Sequence, residues 1–370
     1  MKWSWKIGEF SGIGVYIHAT FLLLIGWIVL SHVLQGDPWI QSVVGVAFIL
    51  ALFACVVLHE FGHALTAQRY GIKTRDITLL PIGGVARLER MPDDPKQELW
   101  VALAGPAVNV VIAALLLVGL VIMGALEPLE RLSVTSGSFI ERLMMVNISL
   151  VLFNLIPAFP MDGGRVVRAL LAMRMEYTRA TQVAASLGQA IAFLFGFIGL
   201  FTNPFLVFIA LFVWIGAVQE ASMVQMKSSL SGIPVNRAML TDFRTLAPGD
   251  TLAHAVDLLL AGSQHDFPVS DGARVVGILT RNDLIAALKR QGDQARVADV
   301  MRRDFEFADA AEMLESASAR LQACQCHTMP VMRGNQLVGL ITMDNLGEFL
   351  MIQSALKAKT GKRELAPSWG

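Results

Sequence analysis

The sequence HEFGH at residues 59–63 combines the residue types that bind and use a catalytic metal ion. Residues four apart lie on one face of an α-helix, so the imidazoles of His59 and His63 can bind the same ion. Glu60 lies about 100° further around the helix, where its carboxylate can take a proton from an attacking water without binding the metal. The motif predicts a hydrolytic Zn²⁺ site in which both histidines are ligands and Glu60 is the general base.

Two histidines do not complete such a site, because catalytic zinc has three protein ligands and one open position for water. A candidate lies in NLIPAFPMDGGR at residues 154–165, where two prolines interrupt a helix and two glycines free the backbone that follows. We assign Asp162 as the third ligand. Considered alone, Asp162 would more readily cap the helix that begins near Arg165, but the HEFGH motif favours the metal role.

The composition indicates that a membrane surrounds these motifs. Of 370 residues, 54% are apolar and 16% charged, and 30 basic residues balance 30 acidic ones. Soluble domains have about 25% charged residues, so the composition excludes an ordinary soluble enzyme, and the balanced charge gives no sign of a nucleic-acid partner. The fold class we predict is a polytopic α-helical membrane protein with six transmembrane helices and a carboxyl-terminal α/β module. The six spans are roughly 15–34, 39–67, 99–123, 139–155, 183–201 and 204–218.

The HEFGH motif follows sixteen apolar residues, which predicts that it lies at membrane depth. An ionisable residue at mid-membrane costs about 2.5–3.5 kcal/mol on insertion scales, and binding a metal ion would offset that cost. The alternative is that the helix ends here and the motif is interfacial. However, the helical pattern continues to Arg69, about 9 Å beyond His63, which favours the membrane interior.

The segments that connect the predicted spans lie alternately on the two sides of the membrane. Twelve basic residues lie in the segments on one side and two in the segments on the other side. The positive-inside rule therefore predicts that both termini, the 68–98 loop and the 160–180 segment face the cytoplasm. The expected location is the plasma (inner) membrane of a prokaryote, with membrane lipid as a partner and the zinc site nearer the cytoplasmic face.

An internal repeat lies beyond the membrane part. Residues 265–284 align without gaps on residues 327–346, an offset of 62 residues, and each unit has the pattern helix, strand, turn, strand, helix. The repeat resembles a tandem pair of cystathionine-β-synthase (CBS) domains. The predicted organisation is 1–222 for the membrane domain, 223–233 for a linker, 234–290 and 291–352 for the two CBS repeats and 353–370 for a tail.

Taken together, the two membrane motifs resemble those of the site-2 proteases, the zinc metalloproteases of intramembrane proteolysis. That family has HExxH in a membrane helix and, about a hundred residues later, N-x-x-P-x-x-P-x-D-G, which here is NLIPAFPMDG. The resemblance implies that His59, His63 and Asp162 bind zinc and that Glu60 is the catalytic base. It also implies that Asn154 binds the substrate or polarises its carbonyl group, and that the substrate is a transmembrane segment of another protein.

Three further features of the membrane part have two interpretations each. Asn109, inside the third span, either belongs to the site or makes an interhelical hydrogen bond. His18 fits a family-like pattern near the amino terminus or is an interfacial histidine. Residues 77–90 resemble two short strands about a glycine pair; in the family this region is a membrane-associated hairpin whose edge can pair with an unwound substrate, and the alternative is an ordinary loop.

CBS pairs often bind adenosine nucleotides between their repeats. The first repeat fits the pattern G-h-h-[ST]-x-x-D with Thr280 for the phosphate and Asp283 for the ribose, and Arg281 adds a phosphate contact. The second repeat has Thr342 but places Asn345 where the pattern has aspartate. We therefore expect ATP, ADP or AMP in one cleft at most, as a regulator of access to the membrane site. The alternative is a structural module that forms a homodimer.

A different class of function also fits the motifs, namely a nucleotide-gated membrane zinc transporter or sensor without proteolytic activity. Transport favours titratable residues along a path through the helices. Here they cluster at one depth, beside a glutamate suited to base catalysis, which favours the protease.

Overall fold

The computed structural model describes residues 3–364, except residues 82, 90, 93, 126–136, 273 and 325–326 and the side chains of residues 354 and 357–364. The chain forms two compact units, Met1–Val224 and Gln225–Gly370.

The first unit contains a four-stranded sheet in the order β1-β2-β3-β4. Two antiparallel hairpins build it, and β2 joins them by pairing in parallel with β3. The first hairpin turns at Ser11 and Gly12, which both have positive φ, as a tight two-residue β-turn requires. The second hairpin confirms the two strands predicted near residues 77–90. The strands are β1 Ser4–Phe10, β2 Ile13–His18, β3 Thr74–Leu80 and β4 Gly83–Leu88.

In the part of this unit that the structure describes, seven helices accompany the sheet. Among the described residues, α2, α3, α6 and α7 are long and apolar enough to cross a membrane, whereas α1 and α4 have 17 and 16 residues. Six spans therefore remain a prediction, although each predicted span overlaps a helix. The helices are α1 Ala19–Gln35, α2 Trp39–Arg69, α3 Pro95–Ile122, α4 Phe139–Asn154, α5 Asp162–Ala172, α6 Tyr177–Phe201 and α7 Pro204–Leu230.

The start predicted for the first span, at residue 15, is wrong. Residues 15–18 belong to β2, where Val15 pairs with Ile77 and Ile17 pairs with Leu79. The apolar side chains of this strand are continuous in sequence with those of α1, so hydropathy alone does not separate them. The helix begins after His18, whose imidazole accepts a hydrogen bond from the backbone of Thr20.

A buried ion-pair group ties α5 to its neighbours. The Arg168 guanidinium on α5 is fully buried and donates to Glu98 on α3 (2.7 Å) and to Glu220 on α7 (2.5 Å). It also lies 5.0 Å from the Phe159 ring and 5.1 Å from the Tyr177 ring. The guanidinium charge is thus compensated by two carboxylates, which join α5 at its middle to α3 and α7.

The second unit contains the two repeats, each with the predicted order of helix, strand, turn, strand and helix. The first has an antiparallel pair, β5-β6, and the second has the sheet β7-β8-β9. Its elements are α8 Leu252–Ala261, β5 Phe267–Asp271, β6 Arg274–Leu279, α9 Arg281–Gln291, β7 Ala308–Asp309, α10 Leu314–Ala323, β8 Thr328–Arg333, β9 Gln336–Thr342 and α11 Met343–Glu364.

The segments predicted as a linker and a tail both contain helix. The linker predicted at 223–233 is α-helix up to Leu230, because Leu230 is buried in the apolar core that Val235, Leu314 and Ile341 form. The tail predicted at 353–370 continues α11 as far as Glu364, and residues 365–370 lie outside the described residues.

Replacing Arg168 tests the importance of the buried ion pairs. We expect Arg168→Met to lower the free energy of unfolding by about 3–5 kcal/mol, because Glu98 would keep a buried charge without its partner. The measurement is reversible unfolding of the purified protein in detergent. Arg174→Met, at an exposed position just after α5, is the control and should change stability by less than about 0.5 kcal/mol. Equal stability of the two variants would contradict this prediction.

Candidate metal centre

The three predicted ligands come together, although 99 residues separate the second histidine from the aspartate. His59 and His63 lie on one face of α2 with their Nε2 atoms 3.1 Å apart. Asp162 Oδ2 lies 3.2 Å from each Nε2 atom, and all three side chains are buried. Asp162 is the first residue of α5, whose cap is Met161, so it does not serve as the helix cap.

The hydrogen bonds around the cluster determine which atoms face its centre. Nδ1 of His63 lies 2.7 Å from the carbonyl oxygen of Val101, and Nδ1 of His59 lies 3.0 Å from Oδ1 of Asn109. These oxygens only accept, so both Nδ1 atoms carry hydrogen and both Nε2 atoms of the neutral rings present lone pairs. In this tautomer two imidazole lone pairs and a carboxylate oxygen converge in a buried place, where a bound cation would relieve their mutual repulsion.

The spacing of these donor atoms fits a small tetrahedral ion. Ligand atoms about 2.0–2.1 Å from a tetrahedral zinc ion lie about 3.3 Å from one another. The observed separations of 3.1 and 3.2 Å match that distance. A set of two imidazoles and one carboxylate is also a usual ligand set of catalytic zinc. The residues present therefore fit Zn²⁺.

Two glycines allow α2 and α3 to approach closely at this place. A Cβ atom on Gly62, the glycine inside HEFGH, would lie 2.7 Å from the carbonyl oxygen of Ala104. A Cβ atom on Gly105 would lie 2.7 Å from Nε2 of His59 and would also overlap His63. Neither the role of Gly105 nor that of the Val101 carbonyl was predicted. The Gly-Pro pair inside the apolar span was the available signal for Gly105, and no sequence signal identifies a main-chain acceptor.

The segment before α5 places Asp162 through close backbone packing. After α4 the chain passes through the two prolines, and the Phe159–Pro160 bond is cis. A Cβ atom on Gly163 would lie 2.5 Å from the carbonyl oxygen of Leu155, and one on Gly164 would lie 2.6 Å from backbone atoms of Ala158. The two glycines thus let α5 begin against the end of the preceding segment, which brings its first side chain to the histidines.

Glu60 lies beside the cluster on α2 and is half-buried. Its Oε2 atom accepts a hydrogen bond of 3.3 Å from the backbone N–H of Ala86 in β4. Because β4 is the last strand of the sheet, this contact lies at an edge to which none of the described strands pairs. The sequence predicted the hairpin but not its contact with Glu60.

The remaining candidates of the membrane part are Asn109, His18 and Asn154. Asn109 is fully buried on α3 and its Oδ1 lies 3.0 Å from Nδ1 of His59 on α2, an interhelical contact, and its role at the site remains a prediction. Its side-chain nitrogen has no hydrogen-bond partner among the described residues. His18 is the cap of α1 and is not a member of the cluster. Asn154 ends α4 half-buried, and its role remains a prediction.

The second unit contains a cavity of about 140 Å³ whose lining comes from both repeats, including Asp266, Thr280, Arg302 and Thr328. Asp266 and Thr328 are equivalent positions of the two repeats, and Oδ2 of Asp266 accepts from the hydroxyl of Thr328 at 2.9 Å. Oδ1 of Asp266 accepts from the backbone N–H of Arg281 at 3.0 Å. The repeats are therefore joined by a buried polar contact at the bottom of this cavity.

Of the residues predicted to bind a nucleotide, some line this cavity and others do not. Thr280 lines it and caps α9, where its hydroxyl accepts from the N–H of Asp283. Asp283 forms a two-bond ion pair with Arg302 (2.6 and 3.0 Å). Partial burial raises the pKa of the Asp283 carboxyl, but the hydrogen bonds from Arg302 and Thr280 outweigh it and hold that pKa below its ordinary value. Arg281 is exposed, and Thr342 accepts from Asn345 in the other repeat.

Comparisons with known proteins identify both parts of the chain. Residues 47–133 and 129–195 match Peptidase family M50, and residues 225–290 and 297–351 match the CBS domain. The zinc metalloprotease MJ0392 of Methanocaldococcus jannaschii is 30% identical over 348 residues, 94% of this chain and 96% of that protein. The CBS domain-containing protein YhcV of Bacillus subtilis is 27% identical over 114 residues, 30% of this chain and 81% of that protein.

Among solved structures, the site-2 protease from Methanocaldococcus jannaschii is similar, with 34% identity and a TM-score of 0.44 over 59% of this chain and 95% of that chain. The relative that spans nearly the whole chain carries the assignment of family. The chain therefore belongs to peptidase family M50, the membrane-integral zinc metalloproteases of the site-2 type, and has a pair of CBS domains after its protease part.

Proposed function

We propose that Zn²⁺ binds to Nε2 of His59, Nε2 of His63 and Oδ2 of Asp162, and that Glu60 is the general base beside it. The reaction is hydrolysis of peptide bonds within or near transmembrane segments of other membrane proteins. The convergence of two imidazole Nε2 atoms and a carboxylate oxygen 3.1–3.2 Å apart in a buried place is the observation that carries this proposal.

Each residue around the cluster has a distinct task. When bound, zinc supplies a Lewis acid and lowers the pKa of water to about 7. Asn109 and the Val101 carbonyl hold the imidazoles in the ligating tautomer. Glu60 takes the proton of the attacking water and passes it to the departing amine. Asn154, at the end of α4, donates to the oxyanion that develops on the substrate carbonyl.

The edge of β4 supports a strand-like mode of substrate binding. A transmembrane helix hydrogen-bonds its own peptide groups, so it has to unwind before hydrolysis, and the freed groups then need new partners. The outer edge of β4 has no strand partner among the described residues and lies in contact with Glu60 through the N–H of Ala86. A substrate segment that pairs there comes beside the base.

The proposal extends to location and topology. We infer six transmembrane spans, with α1 and α4 as the short ones, and a site nearer the cytoplasmic face of the plasma (inner) membrane of a prokaryote. Both termini and the CBS domains are cytoplasmic in this arrangement, as the twelve-to-two distribution of basic residues favours. The alternative, a zinc transporter or sensor, needs ligands along a path, whereas the metal-binding group found among the described residues is this one cluster.

For the CBS pair we propose binding of ATP, ADP or AMP in the cavity between the repeats. Thr280 supports this role because its hydroxyl lines the cavity at the start of α9. Asp283 is available for the ribose after it separates from Arg302, whose guanidinium lines the same cavity and suits a phosphate group. Binding then changes the arrangement of the repeats and regulates the protease, and a homodimer through the CBS domains is part of this proposal.

Replacing the base tests the chemistry. We expect Glu60→Gln to keep its zinc and to lower cleavage of a single-span substrate by at least about a thousandfold, because the amide cannot take the proton. Zinc content and product formation by the purified protein in lipid nanodiscs are the measurements. Glu176→Gln, at an exposed glutamate before α6, is the matched control and should cleave normally. Near wild-type cleavage by Glu60→Gln would falsify the mechanism.

Removing the side-chain amide of Asn109 tests the histidine orientation. We expect Asn109→Ala to weaken zinc binding by about 10–100-fold, since the hydrogen bond that fixes the His59 ring is lost. Competition with a chelator measures the affinity. Asn147→Ala is a matched control, because Asn147 is equally buried but bonds to Leu143 and Cys55 instead. If both variants bind zinc as the wild type does, Asn109 has no role at the metal.

Calorimetry with the full-length protein tests the nucleotide site. We expect AMP or ATP to bind, and Thr280→Ala to weaken binding by about tenfold through loss of a charge-assisted hydrogen bond. Thr342→Ala, the equivalent change in the second repeat, should leave the affinity within about threefold. Absence of heat with ATP, ADP and AMP alike would refute nucleotide binding.

A further inference from the structure

The carboxylate of Glu60 is held from outside its own helix. Its Oε2 atom accepts from Ala86 N–H at 3.3 Å, on the side of β4 that faces α2. A glutamate side chain has three rotatable bonds, and a base on a helix next to two metal ligands needs one defined orientation to be effective. One oxygen engaged by a fixed main-chain donor leaves the other oxygen, Oε1, free for the proton.

The hairpin that provides this donor is itself firmly fixed. Ala86 packs with Ile77, Ile13 and Ala64 in the apolar cluster that joins the sheet to α2. Next to it, Arg87 is ion-paired with Asp76 across the strands, with Nε 2.8 Å from Oδ1. The N–H of Ala86 therefore belongs to a rigid element, as a positioning contact requires.

A glycine makes room for the glutamate. A Cβ atom on Gly84 would lie 2.9 Å from Cγ of Glu60 and 3.0 Å from Cγ1 of Val56. Real Cβ atoms essentially never come so close, so any side chain at residue 84 would move Glu60 or the strand. Gly84 thus sets the distance between β4 and α2 at the base.

We propose that the outer edge of β4 positions the catalytic base, with Ala86 N–H orienting the Glu60 carboxylate and Gly84 leaving the space that this orientation needs. Gly84 and Ala86 are positioning residues, because they act through Glu60. The inference rests on the proposed function, in which Glu60 is the base.

Hydrogen–deuterium exchange tests the contact without reference to activity. We expect the Ala86 amide to exchange about tenfold faster in Glu60→Ala than in the wild type, because its acceptor is removed. Glu60→Gln keeps a side-chain carbonyl oxygen, so exchange should stay within about threefold of the wild type. The segment 83–88 of the full-length protein in nanodiscs is analysed at single-amide resolution. Equal exchange in the wild type and Glu60→Ala would overturn the proposed contact.

Kinetics of Gly84→Ala test whether the contact matters for catalysis. We expect kcat to fall by at least about tenfold while KM stays within about threefold and zinc is retained, because the base moves and the ligands do not. Gly8→Ala is the matched control, since Gly8 lies in β1 of the same sheet and a Cβ atom there meets nothing within 4 Å. An unchanged kcat, or a change in KM alone, would overturn the positioning role.

The two experiments separate this inference from the proposed function. Failure of the wild type to cleave any membrane substrate would contradict the protease function and leave the exchange result for Ala86 as it stands. A second outcome is that the wild type cleaves, Glu60→Gln does not, and Ala86 exchanges in Glu60→Ala as it does in the wild type. That outcome would support Glu60 as the base and contradict its positioning by β4.

Discussion

The structure depends on the convergence of three electron-pair donors that repel one another. Hydrogen bonds at Nδ1 direct the Nε2 lone pairs of His59 and His63 toward the same point as the Asp162 carboxylate. In a buried environment such an arrangement is unfavourable without a cation, and favourable with a divalent one. The packing around the cluster keeps these three atoms together in a buried place.

That packing comes from glycines on one side and a buried charge network on the other. Gly62 and Gly105 let α2 and α3 approach until the histidines reach the acceptors on α3. On the far side, Arg168 joins α5 to α3 and α7, so the helix that begins with Asp162 is fixed at its middle. The same principle operates at Glu60, where Gly84 brings the edge of β4 within hydrogen-bonding distance. Small residues thus determine how closely each element approaches the reacting groups.

The CBS pair uses internal repetition to build an asymmetric cavity. Equivalent positions of the two repeats carry Asp266 and Thr328, which hydrogen-bond to each other, whereas two aspartates there would repel. Asp283 in the first repeat is paired with Arg302, while the second repeat has asparagine at the corresponding place. The divergence of the two sequences therefore gives one cleft a charged pair that the other lacks.

The sequence by itself determined the histidine pair, the adjacent glutamate and the repeat, because helical spacing and a 62-residue offset are local or periodic properties. Hydropathy also located the helices, but it merged β2 with α1, since the apolar residues of the strand run directly into those of the helix and hydropathy does not register the pairing of β2 with β1 and β3. Asp162 was assigned as a ligand because HEFGH provides two ligands and a third is needed. Only tertiary packing brings Asp162 to His63, which lies 99 residues away in sequence. The Val101 carbonyl and the Ala86 amide were decided entirely by the fold, because every residue except proline has both backbone groups and position alone distinguishes them.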